Sequence, residues 1–81
     1  MKVELRYCSK WNYEPQAVSL AAKLLEHFKM QIVEMKLIPS SGGCFELTAN
    51  GKLLYSKLAV GKFPEEELML KQVEALIAEV K

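Results

Sequence analysis

The chain opens on alternation. From Lys2 to Tyr7 the apolar Val3, Leu5 and Tyr7 share one parity, and Lys2, Glu4 and Arg6 share the other, as in a strand buried on one side. Over residues 15–29 the period changes. Ala17, Val18, Ala21, Leu24, Leu25 and Phe28 fall on one helical stripe, with Gln16, Ser19, Lys23, Glu26 and His27 opposite. Pro15 suits the first turn of this helix, where its missing N–H has no partner to lose. Alternation returns from Gln31 to Ile38, setting Val33, Met35 and Leu37 against Glu34 and Lys36. A strand, a helix and a strand in so short a length predict a βαβ unit, with a right-handed crossover and a parallel strand pair.

PSSGG, residues 39–43, reads as a loop. Cys44 to Ala49 and Lys52 to Lys57 then flank Asn50-Gly51, a dipeptide suited to a two-residue hairpin because both residues accept positive φ. After GKFP, residues 61–64, three glutamates open the last helix, where negative charge complements the helix N-terminus. Met69, Val73, Leu76, Ile77 and Val80 form its apolar stripe. The order is β-α-β-β-β-α. Every strand carries a polar set alternating with its apolar set, whereas sheets covered on both sides read as continuous apolar runs. Both helices are therefore expected on one face, making an α/β two-layer sandwich whose other face exposes Glu4, Arg6, Glu34, Lys36 and Glu46.

Composition narrows the function. Eighty-one residues suffice for one small domain spanning residues 1–81, and 51% hydrophobic with 26% charged residues marks a folded chain. The net charge of +1 lacks the clustered basic face that phosphate neutralisation needs, which argues against nucleic acid as a partner. No apolar run approaches the roughly 18 residues of a membrane span. Nothing resembles a signal peptide, so Cys8 and Cys44 are expected as reduced thiols in a cytoplasmic setting. With one remote histidine they make no local metal set. SSGG precedes a strand, whereas phosphate-binding loops feed a helix N-terminus, so it reads as a connection.

Several separated features resemble the selenoprotein T/W/H family of small thioredoxin-like proteins, most closely its selenoprotein W branch. They are YC followed by two residues, a variable pair and Tyr13, with Pro15 and Ala17 beyond; GCFEL, residues 43–47; NGKLLYSK, residues 50–57; and GKFP before the last helix. The resemblance covers nearly the whole chain. It implies a four-stranded mixed sheet ordered 2-1-3-4, and a thiol-based oxidoreductase carrying CxxC or Cys-x-x-selenocysteine after the first strand. Cys8 matches the first redox position, but Trp11 stands where the second thiol or selenol belongs.

A thiolate is the attacking form, and a helix N-terminus or nearby cation favours it. Lys10 could supply the cation and the first helix the N-terminus; the bland reading of Cys8 is a small buried residue. With the third strand antiparallel beside the first, Cys44 falls near Cys8, either as a resolving thiol or as an apolar filler. Trp11, with Tyr13 and Phe63, shapes a contact surface for a partner or caps the edge of the core. His27 lies on the polar face of its helix as a solvated residue. The function expected is a monothiol redox protein, with thiol-disulfide oxidoreductase as its enzyme class. Cys8 would form mixed disulfides with glutathione, as co-substrate, or with a protein thiol. The competing expectation is a non-catalytic interaction module. Neither needs a resident cofactor, and self-association is expected to reach at most a weak dimer.

Overall fold

A computed structural model describes residues 1–79. Its strands are β1 (Lys2–Cys8), β2 (Glu34–Ser40), β3 (Phe45–Ala49) and β4 (Lys52–Ser56), and its helices α1 (Glu14–Phe28), α2 (Lys57–Val60) and α3 (Glu66–Glu79), with a 3₁₀ turn at Lys29–Gln31. The sheet order is β2-β1-β3-β4. β1 runs parallel to β2, with Leu5 opposite Leu37, and antiparallel to β3, with Leu5 opposite Leu47. At the β3–β4 turn Asn50 and Gly51 adopt φ of 50° and 80°, the left-handed pair that the hairpin requires. Asn50 also extends the ladder, its Oδ1 accepting from the Lys2 N–H at 2.9 Å.

Val3, Leu5 and Tyr7 of β1 and Phe45, Leu47 and Ala49 of β3 meet Ala17, Leu20, Leu24 and Phe28 of α1 and Met69, Val73 and Leu76 of α3 in one contiguous core. Both long helices thus cover the same sheet face. On their solvent side Ser19 Oγ donates to Glu66 Oε2 at 2.7 Å, and His27 meets Glu74 at 3.4 Å. The opposite sheet face is polar, with opposite charges in register: Lys2 lies across from Glu34, Glu4 from Lys36 and Arg6 from Glu46.

Four sequence expectations are corrected. The buried stripe of α1 is rotated: Leu20 joins it, while Val18 and Leu25 stay exposed, because the spacing 17, 20, 21, 24, 28 tracks the sheet better. β2 starts at Glu34, leaving Val33 exposed before it, and runs through Pro39 and Ser40, a stretch that reads as loop in sequence. Proline is tolerated there because β2 is an edge strand. Glu46 is only half-buried, with Ser56 Oγ donating to its Oε2 at 2.7 Å. Finally, Lys57 leaves β4 for the short α2: the Ser56 side chain accepts the Ala59 N–H, and Gly61, at φ 91°, ends the turn. Val80, assigned to the last helix stripe from sequence, lies outside the described residues. Among those residues no helix is long and apolar enough to cross a membrane.

Candidate functional site

Cys8 closes β1, and both of its backbone groups are engaged. Its N–H donates to the Cys44 carbonyl at 2.9 Å, and its own carbonyl accepts the Tyr13 N–H at 3.1 Å, directly before α1. The first of these bonds continues the β1–β3 ladder one step past Tyr7 and Phe45. Cys8 and Cys44 therefore stand opposite each other one step beyond the paired register, joined by one hydrogen bond, and residues so opposed project to the same side of the sheet. By strand alternation that side is the open one, shared with Arg6 and Glu46. Both cysteines are nevertheless buried, Cys8 at 0% and Cys44 at 5% exposure, and both are free thiols. Neither belongs to the contiguous core on the helix side.

Two loops meet at this end of the sheet, residues 9–12 after β1 and residues 41–44 before β3. Ser9 donates to the Ser40 carbonyl through its N–H at 3.1 Å and through Oγ at 3.4 Å. Trp11 lies hard against Gly43: a Cβ built on that glycine would stand 2.5 Å from Trp11 Cζ3, nearer than atoms approach. Asn12, Gly42 and Gly43 take positive φ of 60°, 80° and 74°, which lets the chain turn sharply on both sides of the contact.

From Trp11 a row of edge-to-face aromatic contacts runs inward. The ring centroids are 6.2 Å apart for Trp11–Tyr13, 4.7 Å for Tyr13–Phe63 and 5.2 Å for Phe63–Phe45. Phe45 is buried in the core, while Trp11, at the outer end, is 60% exposed. Lys57 Nζ stands 5.2 Å from the Tyr13 ring and 5.3 Å from the Phe63 ring, within cation–π range.

The structure thus brings Trp11, Tyr13 and Phe63 together and sets Cys8 against Cys44. Lys10 is exposed, and the cation over the rings is Lys57. Sequence reasoning missed Lys57 because it stands at the end of the stretch Lys52 to Lys57 that reads as the second hairpin strand. It also missed Phe45, for which adjacency to Cys44 and the inward parity of GCFEL were available signals. His27 is solvent-exposed and pairs with Glu74, away from the thiols in sequence and on the outer side of the helices.

This chain belongs to the Rdx family, whose family model matches residues 2–75. It is 29% identical to bovine (Bos taurus) migration and invasion enhancer 1 over 73 residues, covering 90% of this chain and 62% of the relative. With the mouse (Mus musculus) protein it shares 30% over 71 residues, 88% of this chain and 60% of the relative. The chain therefore spans about three-fifths of the length of these relatives. Among solved structures, a selenoprotein W-related protein of Vibrio cholerae superimposes with a TM-score of 0.90 at 32% identity, covering 94% of this chain and 95% of that one. A Bordetella parapertussis protein gives 0.88 at 28% identity, with coverages of 91% and 94%. Family and fold together define a thioredoxin-like protein of the selenoprotein W type.

Proposed function

We propose that this chain is a thiol redox protein whose attacking group is Cys8, forming mixed disulfides with glutathione or with a protein thiol. The observation that carries the reading is the placement of Cys8 at the end of β1, its carbonyl bonded to Tyr13 at the threshold of α1. This is the position at which the redox thiol stands in the family it resembles. With Trp11 in the second position, no dithiol exchange runs within the loop itself, and attack falls to one sulfur.

Cys8 is fully buried, so reaction requires a local opening that exposes its sulfur. The contact named above that joins the two loops is the seat of the Trp11 indole on Gly43, while Ser9 is tied to Ser40 at the end of β2 by two hydrogen bonds; these are few enough for local opening without global unfolding. The half-exposed row from Trp11 to Phe63, with Lys57 over it, offers a partner an aromatic contact beside the thiols. A reducing compartment such as the cytoplasm suits free cysteines.

The same burial favours a second reading, a non-catalytic interaction module that presents Trp11 and keeps Cys8 as filler. The two separate on treatment of the folded protein with oxidised glutathione, followed by mass spectrometry. The redox reading expects an adduct on Cys8. If Cys8 stays unmodified while a urea-unfolded control is labelled, the redox reading is lost and the interaction reading takes its place.

A further inference from the structure

We infer that Cys44 is the resolving thiol of this protein, so that the redox couple lies across two strands of the sheet and not within one loop. The inference rests on the reading of Cys8 as the attacking thiol and adds the fate of the mixed disulfide. Three observations carry it. Cys8 donates its N–H to the Cys44 carbonyl at 2.9 Å, which sets the two residues opposite each other one step past the paired Tyr7 and Phe45. These are the chain's two cysteines, and both are buried yet outside the helix-side core. Gly42 and Gly43, at φ of 80° and 74°, immediately precede Cys44, giving that side of the pair a backbone that can shift.

Directly opposed hydrogen-bonded residues have Cα atoms about 5.5 Å apart, inside the span a disulfide bridges. Their Cβ atoms are wider apart than the ~3.8 Å a relaxed disulfide prefers, so the bond forms only as Cys44 is drawn toward β1. A bond closed against such resistance is readily reduced again, which suits a couple that cycles. The glycines absorb the movement.

The sequence of steps balances with a low-molecular-weight disulfide as oxidant. Cys8, as thiolate, attacks one sulfur of oxidised glutathione; the glutathione disulfide bond breaks, and one glutathione leaves as its thiolate. Cys44, as thiolate, then attacks the Cys8 sulfur of the mixed disulfide, and the second glutathione leaves. The protein loses two electrons and two thiol protons, and the two glutathiones gain them.

Peptide mapping under non-reducing conditions, with time after addition of oxidised glutathione, tests this. Wild type should show a transient adduct on Cys8 giving way to a Cys8–Cys44 crosslink. Cys44→Ala should hold the adduct on Cys8 at a level roughly tenfold higher, because the intramolecular thiol is at high effective concentration only in the wild type. A stable Cys8 adduct with Cys44 still a free thiol in the wild type overturns the resolving role and leaves the attacking role of Cys8 intact. Absence of any adduct or crosslink in both proteins overturns the Cys8 reading, and this inference with it. The wild-type map decides between these outcomes even if the buried substitution unfolds the variant.

Discussion

Gly43 serves two needs at once: its φ of 74° turns the chain into β3, and its bare Cα admits the face of Trp11. Gly43→Ala therefore strains the backbone and drives a methyl into the indole. The left-handed backbone alone costs about 1 to 2 kcal/mol. The unfolding free energy from urea titration should fall by at least that amount, and the displaced Trp11 should leave both cysteines alkylated several-fold faster. Trp11→Ala keeps the backbone relaxed and removes the same indole beside Cys44's neighbour Gly43, so it should give the faster alkylation with a smaller loss of stability. Equal alkylation rates in wild type and both variants would show that the indole does not control access. The opposition of Cys8 and Cys44 was legible once the family resemblance supplied the strand order, since that order and the strand direction bring those ends together. The seat of Trp11 on Gly43 was not, because it depends on how two loops without periodicity fold over each other.

Among the elements, α2 shows how a four-residue turn escapes a periodicity reading. KLAV is too short to establish a helical stripe, and its leucine and valine stay exposed. Its signals lie outside it, in Ser56 before and Gly61 after. Ser56 is also the partner of Glu46, so Ser56→Ala removes a helix cap and a cross-strand hydrogen bond together. A loss of about 1 to 2 kcal/mol is expected by chemical denaturation, with Lys57 no longer held over Tyr13 and Phe63. The hairpin is the opposite case, a turn written in two letters. Gly51→Val should cost about 1 to 2 kcal/mol by urea midpoint, since a β-branched residue resists positive φ. In α1 the sequence identified the helix but turned its buried face slightly: Val18 and Leu25 fit a helical stripe as well as Leu20 does, and only the sheet beneath selects between them.

At the scale of the whole molecule, one core on one face of one sheet holds the chain together. Leu47, fully buried in β3 next to β1, lies near its centre. Leu47→Ala should remove about 2 to 5 kcal/mol, set against a total of about 4 to 12 for a chain of this length. Thermal unfolding followed by circular dichroism should show a melting temperature many degrees lower. The two-layer architecture was readable because each strand keeps its polar and apolar sets apart. The burial of Cys8 was not, because alternation gives it the parity of the exposed Glu4 and Arg6, yet it is fully buried.

The open face has a further consequence, for how the sheet assembles. Lys2 faces Glu34 and Glu4 faces Lys36 across the parallel pair. Sliding β2 by two residues keeps the apolar sides aligned, so burial alone penalises that error little. Charge does not permit it quietly. One direction sets Lys2 against Lys36, and the other sets Glu4 against Glu34 and Arg6 against Lys36. The solvent-facing charges thus add a small electrostatic preference for the native alignment over either slip. Lys36→Glu, which places a like charge across from Glu4, should destabilise the native alignment by about 0.2 to 1 kcal/mol, and added salt should recover part of that loss by screening it.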